Sequence, residues 1–450
     1  MRLKILLALA LPLWAGLATA ADEPLTGSGM AFSGGPTLEQ IKAEQKACEV
    51  RKPPRKAKGT ITESTYKRME RIIDAIGKGQ YAESEPKLQE LATNARGDYE
   101  KAIILQTLGF VYASENKSGQ AIKAFQDAIG TGALPQQVHE QMMFNIAQMY
   151  VADDKMQAGI KALNDYLAES CNPLPDAHIL LASTYADQKQ WQNALKQIDL
   201  ALVKAKQPKE TWLQLKLALH YELKEMAKCA EVLVYLVAMA PHKEDYWKQL
   251  SGILFEIKKD PEALAVLGLA ERRGYMTKEA DFRNLANMYM FMQIPLKAAR
   301  VLEHGMELKQ VEASEKNLES LANAWLMSRE YDKAEVAMKK AAAASNKGEL
   351  YKRLGQVQIE NEKYKDALDS FQKAQAKGGV KDPGELAFLI GVCAVELKQW
   401  KTADAALRQA MQHDKTARMA EQWLAHLQDE QQYLAAKSQD KGGAAEDKTD

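Results

Sequence analysis

Two small residues set twelve apart recur nine times along this chain of 450 residues, and that spacing constrains the fold more than any other feature. The pairs are Gly109 and Ala121, Ala147 and Gly159, Ala182 and Ala194, Ala218 and Ala230, Ser251 and Ala263, Ala286 and Ala298, Ala322 and Ala334, Gly355 and Ala367, and Gly391 and Ala403. Successive pairs stand 33 to 38 residues apart, and a weaker pair, Ile72 and Ser84, precedes them in the same frame. Small residues at this separation let two antiparallel helices approach to about 8–10 Å, because no bulky side chain keeps the backbones apart. A period of this length implies stacked helical hairpins, each too small to bury its own apolar face.

The residues around each pair sharpen the assignment. Leu108-Gly109-x-x-Tyr112 followed by Ala121-x-x-x-Phe125-x-x-Ala128 matches the tetratricopeptide pattern of W-x2-L-G-x2-Y and then A-x3-F. Tyr112, Tyr150, Tyr185, Tyr221 and Tyr289 hold the position three after the first small residue, with Leu254 and Trp325 as replacements. Phe125, Leu163, Ile198, Val234, Leu267, Leu302, Met338, Phe371 and Leu407 sit four after the second, where they are expected to fill the space to the next repeat. Pro135, Pro173, Pro175, Pro208, Pro241 and Pro383 mark turns between repeats. The expected fold is all-α: a tetratricopeptide-repeat α-solenoid of about ten helix-turn-helix repeats over 61–417. A cap helix over 418–436 follows, with Met419, Trp423, Leu424, Leu427 and Tyr433 spaced among charges.

Both ends read differently from the array. Arg2 and Lys4 precede a charge-free stretch from Ile5 to Leu17 and then Ala18-Thr19-Ala20, the order of a cleaved signal peptide over 1–20 with Ala21 as the first mature residue. Export to the periplasm is the expectation, although a retained inner-membrane anchor stays open. Residues 21–60 read as a leader with a short helical piece from Leu38 to Cys48 and a basic run, Arg51, Lys52, Arg55, Lys56 and Lys58, around Pro53-Pro54. That leader is either a flexible spacer or a docking arm for an acidic partner or membrane headgroups. Residues 437–450 are charged and rich in Gly and Ala, as in a disordered tail. The nine apolar residues from Val232 to Ala240 are far too few to span a bilayer, so no transmembrane segment is expected in the mature chain.

Several stretches resemble one family. They are Glu63-Ser-x-Tyr-Lys after the basic leader, Pro-Asp-Ala-His-Ile-Leu-Leu-Ala from 175, Lys209-Glu-Thr-Trp212, Tyr246-Trp-Lys-Gln-Leu-Ser-Gly252, Tyr364-Lys-Asp-Ala-Leu368 and Lys-Asp-Pro-Gly-Glu from 381. Together they are similar to the periplasmic tetratricopeptide proteins encoded beside TonB, ExbB and ExbD. The resemblance implies a non-enzymatic accessory role in TonB-dependent iron-siderophore uptake, with TonB, ExbB or ExbD as protein partners. A scaffold for polysaccharide export or cell-wall synthesis is the alternative that the same fold serves.

For partner binding, the second, fifth, ninth, twelfth and thirteenth positions of each first helix are expected to line the inner, concave face. The middle of the array then presents Phe110, Phe144, Ile179, Trp212, Leu215, Leu219, Phe255, Met290 and Phe291. Two readings stand side by side: packing against neighbouring first helices, or aromatic anchors for a partner peptide or helix. Further on, the same positions turn polar, with Arg283 and Asn287, Lys316 and Asn323, and Lys352 and Gln356. Asn side chains there can hold a peptide backbone while the cations hold carboxylates.

Other function classes find little support. Sixty Lys and Arg balance sixty Asp and Glu, so the surplus of positive charge that a nucleic-acid binder uses is missing. No H-E-x-x-H, C-x-x-C, phosphate-binding loop or G-x-S-x-G elbow occurs, so no catalytic residue, cofactor or metal is assigned. Met288, Met290 and Met292 read as adaptable core packing rather than a soft-metal site. Of the four cysteines, Cys229 and Cys393 lie five repeats apart and read as packed thiols, whereas Cys48 and Cys171 either meet as a disulfide or stay free.

Overall fold

The structure, a computed structural model, describes residues 36–446 except 206. The signal peptide expected over 1–20 lies outside them. The described residues form 22 helices and no strand. The chain divides into two compact units, one through Tyr235 and one from Leu236. The first holds α1 (Leu38–Arg51) and the hairpins α2/α3 (Glu63–Gly77, Tyr81–Thr93), α4/α5 (Asp98–Ser114, Ser118–Gly130), α6/α7 (Gln136–Ala152, Met156–Glu169) and α8/α9 (Pro175–Asp187, Trp191–Lys204). Then come α10 (Glu210–Glu222) and α11 (Met226–Met239), within which the division falls. The second unit holds α12/α13 (Glu244–Glu256, Asp260–Arg272), α14/α15 (Glu279–Phe291, Pro295–Glu307), α16/α17 (Glu315–Met327, Tyr331–Ala344), α18/α19 (Gly348–Glu360, Tyr364–Lys377) and α20/α21 (Pro383–Glu396, Trp400–Met411). It ends in α22 (Asp414–Glu446). The chain is therefore an all-α array of tetratricopeptide-type hairpins. None of the described helices is long and apolar enough to cross a membrane.

Each hairpin turns in the same way. One residue with positive φ stands five places before the small residue of the second helix: Gly79, Asn116, Asp154, Lys189, Lys224, Lys258, Gln293, Arg329, Glu362 and Lys398. The next residue then donates its N–H to a carbonyl five residues earlier, as Lys117 does to Tyr112 at 2.8 Å and Gln399 to Ala394 at 2.8 Å. This bond satisfies a carbonyl that the helix end would otherwise leave open and aims the second helix back along the first.

The small residues act as sockets. A Cβ added to Gly109 would stand 2.5 Å from Phe125, one on Gly355 2.4 Å from Phe371, and one on Gly391 2.6 Å from Leu407. The bulky residue four places after the second small position thus fills the space over the first helix of its own hairpin, rather than the gap to the next repeat. Fully buried, a ring such as Phe125 contributes on the order of 1.5–3 kcal/mol. Where Ser replaces Gly or Ala, the hydroxyl is used: Ser251 Oγ donates to the Ala263 carbonyl at 2.9 Å.

The hairpin of α10 and α11 departs from the expected frame by one residue. Its positive-φ residue is Lys224, and Glu225 N–H bonds to the His220 carbonyl at 2.9 Å. The paired positions are therefore Leu217 and Cys229, not Ala218 and Ala230. Cys229 is fully buried, with Sγ 3.9 Å from the Leu217 carbonyl, while Ala218 is exposed. His220 is buried in the place expected for Tyr221, which is 59% exposed.

The described parts of both ends are ordered, and the open question of the Cys48–Cys171 pair is answered. α22 continues helical through Glu446, into the stretch expected as a disordered tail. The leader is tied to the first unit, because Cys48 and Cys171 form a disulfide with Cα atoms 5.4 Å apart. Cys229 and Cys393 take no part in this bond and are buried.

Candidate protein-contact face

The first-helix positions expected to meet a partner separate into buried and open ones. Phe144 is buried, its ring 5.5 Å from that of Tyr166 in a core with Ala147, Leu163 and Leu181. Trp212 and Leu219 are buried as well, as the one-residue shift of α10 requires. In the observed frame the outward positions of α10 are Thr211, Gln214, Ala218, Tyr221 and Glu222, all exposed. Half-buried Phe110 meets Phe125 edge to face at 5.3 Å, and Ile179 and Leu215 are half-buried. In the first unit, packing therefore accounts for most of the apolar positions.

The second unit leaves its aromatic positions open. Phe255, near the end of α12, is 38% exposed, and Phe291, the last residue of α14, is 66% exposed. Their rings stand edge to face at 5.9 Å and 67°. Met327, the last residue of α16, occupies the position equivalent to Phe291 one repeat later and is 58% exposed. Beside them Met290 and Leu326 are partly buried against the core of the unit. Large apolar side chains left in water in the last turn of the first helix of three consecutive hairpins are more than scattered surface residues. Arg283, Asn287 and Phe291 lie four apart on one face of α14, with Asn287 exposed. Asn323 is half-exposed at the position of α16 equivalent to Asn287.

Lys316 is exposed, but the other cations of this face already have carboxylates. Lys352 is buried and pairs with Glu385 at 2.8 Å and Glu349 at 3.3 Å. Burial alone would lower its pKa, but the two carboxylates outweigh this and hold the ammonium above the usual lysine range. Gln356 donates to the same Glu385 at 3.1 Å. Lys248 pairs with Asp281 at 2.9 Å, Arg353 pairs with Glu319, and Arg283 is 3.6 Å from Glu279. Glu279 is itself held by Asn317 and by the Glu312 N–H. A clamp of cations waiting for a partner's carboxylates is therefore not what Lys352 builds. The face offers aromatic and thioether surface with an amide ladder beside it, suited to an apolar side chain on a peptide or helix.

Sequence reasoning missed Met327 and Tyr221. Met327 is visible by carrying the Phe291 position forward one repeat. Tyr221 becomes visible once the pairs are spaced evenly, since Leu217 lies 35 residues after Ala182 and 34 before Ser251. Among the described residues no group of three or more His, Cys, Asp or Glu side chains is arranged to hold a metal.

No protein-family model matches the chain, and no curated protein does. Among solved structures, it is similar to a tetratricopeptide repeat protein from Parabacteroides merdae, at 14% identity and a TM-score of 0.36, over 66% of this chain and 100% of that one. It is also similar to the C-terminal part of a TPR repeat-containing protein from Cytophaga hutchinsonii, at 17% identity and a TM-score of 0.29, over 62% and 99% of the two chains. The turn geometry, the small-residue sockets and the regular spacing of its own hairpins are what assign this chain to the tetratricopeptide-repeat fold.

Proposed function

We propose that this chain is a non-enzymatic scaffold that works through protein contacts in the periplasm, assisting TonB-dependent uptake by linking the TonB complex to outer-membrane receptors. The observation that carries the scaffold reading is the open Phe255–Phe291 pair with Met327 on successive hairpins. The exported setting is supported by the order of the first twenty residues and by the Cys48–Cys171 disulfide, a bond that persists in oxidising compartments. The choice of TonB, ExbB or ExbD as partner follows from the resemblance of the leader and the motifs between 63 and 385.

Crosslinking in the periplasm followed by identification of the captured chains tests the partner. Recovery of TonB or ExbD supports it, while recovery of a glycan synthase in their place overturns it. The face is tested separately. Phe255→Ala with Phe291→Ala should weaken capture at least about tenfold while the helical content stays unchanged, because buried aromatic anchors dominate such contacts. Capture at the unaltered level would remove this face from the interaction.

A further inference from the structure

The leader lies along the ends of the hairpins as a strap, and its contacts define a second site, apart from the aromatic face. Lys52 Nζ donates to the Ala168 carbonyl at 2.7 Å, in the last turn of α7. Arg55 pairs with Glu169 at 2.7 Å and lies 3.3 Å from His139 Nδ1. The backbone joins in: the Gln136 N–H bonds to the Arg55 carbonyl at 3.0 Å, and the Lys58 N–H bonds to the Ala133 carbonyl at 2.9 Å. Between these anchors Pro53-Pro54 keeps the segment extended, beside a cleft of about 470 Å³ that Glu49, Gln136, Glu140, Glu169 and Asn172 help to line.

The receiving surface is thus made of the Glu169 carboxylate, the Ala168 carbonyl in the last turn of α7 and the Ala133 carbonyl in the turn before α6, and it holds a basic, proline-containing segment. Every residue from 51 to 60 is exposed, so no apolar burial fixes the strap. Exposed ion pairs and a few hydrogen bonds hold an extended segment weakly. The segment is fastened at both ends: the Cys48–Cys171 bond holds the chain four residues before Lys52 and one residue after Ser170, which caps α7, and α2 takes over from Glu63. A tether that short gives the segment an effective concentration on the order of millimolar, enough to exclude a competing peptide of moderate affinity.

We infer that the ledge formed by Ala133, Gln136, His139, Ala168 and Glu169 is a binding site for a basic, proline-containing peptide, occupied in cis by residues 52–58 and opened when the Cys48–Cys171 disulfide is reduced. Both cysteines are partly exposed, so a dithiol can reach them. Its thiolate attacks one sulfur, the S–S bond breaks through a mixed disulfide, and the second thiol releases it. Two electrons and two protons end on Cys48 and Cys171, and the dithiol leaves as its own disulfide. The strap can then detach and leave Glu169 and the two carbonyls to an incoming chain.

The test uses the full chain and a fluorescein-labelled peptide of residues 50–58. Oxidised protein should bind the peptide at least tenfold more weakly than dithiothreitol-treated protein or the Cys48→Ser, Cys171→Ser variant. Reduction should also speed hydrogen exchange at the Lys58 and Gln136 amides, which now bond across the strap. In the reduced protein Glu169→Gln should weaken the peptide severalfold. Arg55→Ala, with the disulfide intact, should raise binding toward the reduced level. Equal binding in both redox states, binding in neither, or unchanged exchange at Lys58 and Gln136 on reduction would each overturn the inference.

Discussion

At the scale of single residues, the array is governed by contacts that tolerate little change. Gly355 faces the ring of Phe371 with no room for a Cβ, so Gly355→Ala should cost about 1–3 kcal/mol, read as a lower urea midpoint at an unchanged fold. Glu335 shows the electrostatic counterpart. It is 3% exposed and receives hydrogen bonds from Gln358, Asn361 and Lys363, with Lys339 at 2.7 Å. Burial raises its pKa, but the bonds from Gln358, Lys339 and Lys363 outweigh it and bring the carboxyl to about 2, from 4.5. A carboxyl lowered in the folded state stabilises fully above its unfolded pKa and loses this as pH falls through the folded one. Between about pH 5 and pH 2 the second unit should therefore lose on the order of 3 kcal/mol through this group. Thermal melts of wild type and Glu335→Gln across that window check it: the variant should show the shallower acid limb, and parallel limbs would contradict the assignment.

At the scale of elements, the hairpins were legible because the close approach of two helices forces small residues to a fixed spacing. The pairs from Gly109 to Gly391 reported this directly, and even the weak Ile72–Ser84 pair stands in frame, with Gly79 at its turn. The hairpin of α10 and α11 misled for a physical reason. Ala218 and Ala230 reproduce the spacing, while the positions that pack carry Leu217 and Cys229, and a thiol is small enough for the socket. Cys229→Leu should therefore destabilise by about 1–3 kcal/mol, and Ala218→Leu, at an exposed position, by clearly less, as two urea titrations would show. The reverse order would restore the sequence frame. The site followed from the same register: Phe255 and Phe291 were placed by it, whereas Trp212 and Leu219 were lost to the shift of one residue. Nine of the ten turns also seat a non-glycine residue at φ of 56–63°. Relieving the Cβ crowding there outweighs glycine's added unfolded-state entropy, so Lys398→Gly should stabilise by roughly 0.5–1 kcal/mol, measurable as a raised melting temperature.

At the scale of the whole molecule, the strap was the least legible part. Two of its anchors are the carbonyls of Ala133 and Ala168, which any residue supplies, and the third, Glu169, is one acidic residue among many, so basic residues around Pro53-Pro54 read as equally fit for a spacer or an arm. The cysteines carried the better signal, since Cys48 and Cys171 were the pair not forbidden by distance. Native protein should yield no thiol to a membrane-impermeant disulfide reagent and two per chain after unfolding, because Cys229 and Cys393 are buried and burial pushes the Cys393 thiol up to about 12. Four thiols after unfolding without reductant would rule out the disulfide. The bond also has a bearing on biogenesis. Cys171 is the first cysteine to follow Cys48 along the chain, 123 residues later, and Cys229 comes after both. If the chain is delivered from its N-terminus into an oxidising compartment, as proposed, Cys48 meets one partner at first, and that partner is the native one. On that route, order of emergence would select the correct pairing before the two thiols destined for the interior arrive to compete.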